Sequence, residues 1–221
     1  MAESMRQERL QPQNPLYRTL FRALCRALFG AFTRLEVTGL ENLPPGGPLL
    51  LLTNHLHWLD PLLLFAILPF PATVMAAEKY ERRYQGLFMR PLGVIFVQRG
   101  EVDRQALRQA LAILEAGRVI GIAPEGTRSK TGGLQQGKRG AAYLAYRSGA
   151  PLLPVAIAGV EKVFPSLRRL RRARVTAKVG PVFYLPEVDG KASREELEAA
   201  TELIMRRLAE LLPEAYRGIY R

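Results

Sequence analysis

The sequence predicts an α/β domain: a mostly parallel central sheet with helices on both faces, preceded by an amphipathic helical segment. Three observations predict it. Apolar runs of strand length, such as "PLLLLTN" and "PLLPVAIAGV", are continuous rather than alternating, as in strands buried on both faces. Segments of helical period separate these runs, which is the order of a β/α chain. The last long helix opens on a capping box, Ser193 followed three residues later by Glu196.

Taken in order, residues 1–13 are polar and read as disordered. From Pro15 to Arg34 the pattern is helical. Leu16, Leu20, Ala23, Leu24, Ala27, Leu28 and Ala31 share one face, and Arg18, Arg22 and Arg26 form a second stripe. Phe21 and Phe29 flank the apolar face. An arginine on every turn excludes a bilayer-spanning role. Two readings remain: a helix flat in the headgroup layer, with Phe21, Phe29 and the leucines inserted and Arg18, Arg22 and Arg26 on lipid phosphates, or a surface helix packed on the core. We divide the chain into this segment, 1–34, and an α/β domain, 35–221.

Beyond it, "RLEVTGLENLPPGG" reads as a short strand and turn, and "PLLLLTN" as a buried strand. Leu59 to Ile67 reads as a helix, "ATVMAA" and "GVIFVQRG" as strands, and 102–116 as a helix. "RVIGIAPEGT" is a strand entering a loop, "GKRGAAYLAYRSGA" a helix, and "PLLPVAIAGV" a strand. "ARVTAKVGPVFYL" supplies one or two late strands, after a basic patch, "LRRLRRARV".

The balance of 32 basic against 20 acidic residues gives a formal charge of +12. Such a charge calls for an anionic partner: nucleic acid, a membrane surface or a phosphorylated substrate. Nucleic acid is disfavoured, because no nucleic-acid module or stacking aromatic array is present. The single cysteine, Cys25, permits no intrachain disulfide and reads as a small apolar helix residue. No apolar run reaches the roughly 20 residues that span a bilayer, and the N-terminus lacks the apolar stretch of a signal peptide.

Both histidines lie in "TNHLHWLDP", where a buried strand ends and a helix begins. Three readings compete. They can be two surface histidines at a turn. His55, His57 and Asp60 can be part of a metal site, as in a metal-dependent hydrolase, but the ligand spacing is off by one residue and no third histidine exists. Or Asp60, five residues after His55, can accept from its Nδ1–H and leave Nε2 free to take a proton. No Gly-x-Ser-x-Gly elbow supplies a nucleophile, so the hydroxyl to be deprotonated would belong to the substrate.

At this point the chain resembles a family. Asparagine, histidine, four residues and aspartate form the first signature of the glycerolipid acyltransferases of the PlsC type. "GVIFVQRG" is similar to the second block, "APEGTRS" to the third and "PLLPVAIAG" to the fourth, in the family's order. The resemblance covers roughly residues 35–180. Two departures stand out: Ala123 where phenylalanine is usual, and Gln136-Gly137 where Pro-Phe is frequent.

The resemblance implies transfer of a fatty acyl group from a thioester, acyl-CoA or acyl carrier protein, to the sn-2 hydroxyl of lysophosphatidate. Another lysophospholipid or glycerol-3-phosphate is the alternative acceptor. No cofactor and no metal are implied. His55 would be the general base, oriented by Asp60. Arg99, Gly126, Thr127, Arg128 and Lys138 would hold the phosphate, and Glu125 would position the acceptor. Asn54, Trp58 and Pro154 would support the dyad or shape the acyl pocket, with His57 a secondary contact. A lipid acceptor and product imply a peripheral or monotopic seat on an anionic membrane, at the cytoplasmic face.

Overall fold

The structure is a computed structural model that describes residues 14–80, 87, 89–98 and 103–221. The first helix, α1 (Pro15–Phe32), begins where Asn14 accepts a hydrogen bond from the Tyr17 amide and Pro15 supplies a helical φ. It ends as the chain turns extended at Thr33. The strands are β1 (Thr33–Thr38), β2 (Leu49–Thr53), β3 (Ala72–Ala77), β4 (Ile95–Val97), β5 (Val119–Ile122), β6 (Leu152–Ala158) and β7 (Ala173–Val179). Further α-helices among the described residues are α2 (Asp60–Ile67), α3 (Arg104–Glu115), α4 (Gly140–Ser148), α5 (Val163–Leu167) and α6 (Arg194–Leu211).

The sheet order is β1-β7-β6-β2-β5-β3-β4. Every pairing is parallel except β6 with β7. The late apolar segment yields the single strand β7; Phe183 adds only one antiparallel bridge to Leu152. All five residues of β2 are buried, because apolar layers lie on both sides of the sheet. On one side Leu50, Leu52 and Ile120 pack with α3, α4 and α6; on the other Leu49, Leu51 and Leu153 pack with α1 and α2.

The helix α1 corrects the sequence reading. Its arginines point into the protein: Arg18 donates to the Leu92 and Ala72 carbonyls, Arg22 to Pro69, and Arg26 to Ala66. Burial, with the Arg118 charge, lowers Arg18 to about 10. Phe29 is buried, Phe21 packs edge-on against Phe65, and burial pushes the Cys25 thiol up to about 11. Phe29 is thus not available for insertion, and the three arginines are engaged with main-chain carbonyls. The Ala66 carbonyl, in the last turn of α2, lacks a helical partner and takes Arg26 instead. The opposite stripe, Leu16, Leu20, Leu24, Leu28 and Phe32, is exposed, from 68% at Leu16 to 44% at Phe32. Residues 1–13, read as disordered, lie outside the described residues.

Candidate active site

Three neighbouring strands, β6, β2 and β5, run parallel and deliver their C-terminal ends to one edge. That edge is where open α/β sheets collect ligands. Asn54, just past β2, is 2% exposed. Its amide donates to the Ile157 carbonyl and accepts from the Ile157 amide, each at 2.8 Å. It acts as an added rung between β2 and β6.

The turn that follows wraps around one oxygen. Asp60 Oδ2 accepts from the amides of Leu56 and His57, at 2.7 and 2.8 Å, and lies 2.7 Å from His55 Nδ1. The carboxylate only accepts, so Nδ1 carries the proton and Nε2 presents a lone pair. Asp60 is buried, whereas the His55 side chain is 20% exposed, so the ring can meet a substrate. His57 sits to the side, tilted against Trp58 and Phe164. Burial holds it below the usual histidine range; Arg128 reinforces this and Asp60 and Glu161 oppose it.

The loop after β5 closes over this turn. Glu125 is 2% exposed; Oε1 accepts from the His55 amide and Oε2 from the Gln135 amide, both at 3.0 Å. The Ser129 amide returns a 2.7 Å bond to the His55 carbonyl. Glu125 therefore braces His55 rather than reaching an acceptor, which corrects its expected role. Burial raises its carboxyl above the ordinary range, and the two amides only partly offset this. Glu125→Ala should leave two partly buried N–H groups unpaired, at up to about 1–3 kcal/mol each. We expect a lower melting temperature together with a roughly tenfold fall in turnover. Unchanged melting would show that the brace carries no weight.

Gly126 adopts φ +67, and a Cβ there would stand 2.9 Å from Lys138 Cδ. The left-handed φ favours glycine there, under the lysine stem. Lys138 thus lies across the loop that carries Thr127 and Arg128, both half-buried. Arg99, the remaining expected phosphate contact, falls outside the described residues. Pro154 lies in the core beside Gly180 and Leu211. An apolar cavity of about 10 Å³ beneath α2 is lined instead by Leu51, Leu64, Phe65, Phe70 and Val74. Among the described residues, no three of His, Cys, Asp and Glu converge to hold a metal.

Several contacts had no signal in the sequence. Gln135 bonds Glu125 and the Arg128 carbonyl. The Tyr220 hydroxyl accepts from the Gly137 amide, and the Tyr216 carbonyl accepts from Leu134, so the segment 216–220 straps the loop. Gly137 is explained by α6, where an added Cβ would lie 2.7 Å from Met205 Cγ.

The strand ends, the His55–Asp60 contact and the glycine loop thus meet in one place. The acyltransferase family model matches residues 34–158, and the chain belongs to that family. A 1-acyl-sn-glycerol-3-phosphate acyltransferase of Bacillus subtilis is 28% identical over 181 residues, covering 80% of this chain and 87% of that protein. One of Borreliella burgdorferi is 30% identical over 141 residues, covering 62% of this chain but 56% of that protein. The chain likewise spans only 55% of the human alpha enzyme of that name, at 30% identity over 70% of this chain. The crystal structure of the Thermotoga maritima 1-acyl-sn-glycerophosphate acyltransferase, PlsC, superposes with a TM-score of 0.67, at 26% identity, over 88% of this chain and 79% of that one.

Proposed function

We propose that this protein acylates the sn-2 hydroxyl of lysophosphatidate, giving phosphatidate. The observation that carries the reading is the 2.7 Å contact between His55 Nδ1 and a buried Asp60, beside a glycine loop bearing Arg128 and Lys138. The acceptor hydroxyl gives its proton to His55 Nε2 as its oxygen attacks the thioester carbonyl. A C–O bond forms, the C–S bond breaks, and the proton passes to the departing thiolate. Asp60 holds the tautomer and offsets the imidazolium charge. Arg128 and Lys138 supply cations for the phosphate, and the Gly126 backbone lets it approach. The names of the relatives support lysophosphatidate as acceptor. Acyl-CoA and acyl carrier protein both suit the chemistry as donors.

The test is thiol release from palmitoyl-CoA, and from acyl carrier protein, with and without lysophosphatidate. Release that requires lysophosphatidate and persists in chelator is the expected result. Release without acceptor would return a hydrolase reading, and preference for glycerol-3-phosphate or another lysophospholipid would reassign the acceptor.

The same reading seats the protein peripherally on the cytoplasmic face of the membrane, where a lipid acceptor is reached without crossing. The exposed leucine stripe of α1 supports this; no described helix is long and apolar enough to cross a membrane. Leu20→Ser with Leu24→Ser should weaken vesicle sedimentation about tenfold, a loss of about 1.4 kcal/mol from two partly inserted side chains. Melting should not change. Equal sedimentation would remove α1 as the anchor.

A further inference from the structure

A second apolar feature lies away from the leucine stripe, in the basic patch. After α5 the chain makes a tight turn in which the amides of Arg169 and Arg171 both bond the Ser166 carbonyl. At its tip Leu170 is 97% exposed and has φ +54, the only positive φ of a non-glycine residue among the described residues. A leucine resists that left-handed conformation, which asparagine or glycine adopts readily. The conformation is that of a helix cap: the Arg171 amide on the Ser166 carbonyl and the Leu170 amide on the Leu167 carbonyl close the end of α5, with Leu170 at the left-handed position. The cap accounts for the backbone; burial in the fold does not account for a leucine at its tip.

The surroundings narrow what covers it. Arg168, Arg169 and Arg171 are exposed around the tip and form no ion pair with a carboxylate among the described residues. Arg172 instead turns back and donates to the Gly30 and Thr33 carbonyls, at the end of α1 beside exposed Phe32. The turn is thereby fixed to the end of the leucine stripe. On its other side, α5 carries Phe164, which stacks on Trp58 at 5.9 Å, with both rings about half exposed. Trp58 belongs to the turn that holds His55 and Asp60.

We infer that this turn is a second membrane contact, in which Leu170 inserts between anionic lipids, its arginines meet their phosphates, and Trp58 and Phe164 lie at the headgroup level beside the dyad. The inference rests on the peripheral seating proposed above and adds an orientation to it: the mouth of the site faces the bilayer. A projecting leucine ringed by cations suits a lipid surface, which accepts an apolar side chain anywhere. A protein partner would have to offer a matching pocket. Trp and Phe at half exposure suit the same boundary.

Trp58 is the sole tryptophan, so its fluorescence reports this surface directly. The full chain is mixed with vesicles of phosphatidylglycerol and phosphatidylcholine in equal parts. Trp58 emission should shift to shorter wavelength and be quenched by brominated lipid. Leu170→Asn, which suits the left-handed backbone, should lower vesicle affinity about fivefold with melting unchanged or raised. Replacing Arg168, Arg169 and Arg171 by glutamine should lower it further and flatten its salt dependence. Vesicle binding with wild-type affinity in Leu170→Asn and no quenching of Trp58 would overturn this inference alone. Absence of any vesicle binding would overturn the peripheral seating as well. Wild-type vesicle binding by the glutamine variant, with slower transfer only from acyl carrier protein, would mark a protein-docking patch and overturn it too.

Discussion

Replacing Asp60 with asparagine should reduce turnover about 10²–10⁴-fold in a protein that still folds. The reason lies in the three donors gathered on Oδ2. An asparagine oxygen can accept from the Leu56 and His57 amides as the carboxylate does, so the turn keeps its shape. Those amides also keep the carbonyl oxygen facing His55, which preserves the Nδ1–H tautomer. What disappears is the negative charge opposite an imidazolium that forms only during reaction, so the loss falls on turnover rather than on substrate binding. The new amide nitrogen takes the place of Oδ1, which is already buried without a partner, so stability should change little. Steady-state kinetics beside a melting curve checks both. Turnover within a few-fold of wild type would remove Asp60 from the chemistry.

His55→Ala should lower acceptor-dependent thiol release by a similar or larger factor, about 10³-fold, toward the rate left by binding and positioning alone. The variant should fold, because the contacts that place His55 in the chain are made by its backbone, to Glu125 and from Ser129. Asp60→Asn added to His55→Ala should do little more, since Asp60 acts through the imidazole. A further hundredfold loss in the double variant would give Asp60 an independent role.

The sheet was legible because parallel strands must be apolar on both faces, and "LLLLT" is fully buried as that pattern demands. The contact of His55 with Asp60 was legible because the two residues lie five apart in one turn. Legibility failed where the partner is distant or is main chain. Periodicity placed the arginines of α1 on their own stripe, but not which stripe meets the protein; unpaired carbonyls at Ala66 and Pro69 decided that. Glu125 belongs to a loop whose motif suggests ligand contact, yet it is spent on the amides of His55 and Gln135. The strap from Tyr216 and Tyr220 joins segments some 80 residues apart, beyond any local signal.

His55 is joined to the glycine loop at two backbone atoms: its amide to Glu125 and its carbonyl from Ser129. A displacement of that loop by an ill-fitting acceptor would be passed to the base itself. With a misplacement of about 1 Å able to cost roughly 10²-fold, the wrong lipid can be held nearly as well as the right one and still react slowly. Discrimination among acceptors would then be read in the rate of the chemical step, and a survey of binding constants would miss it.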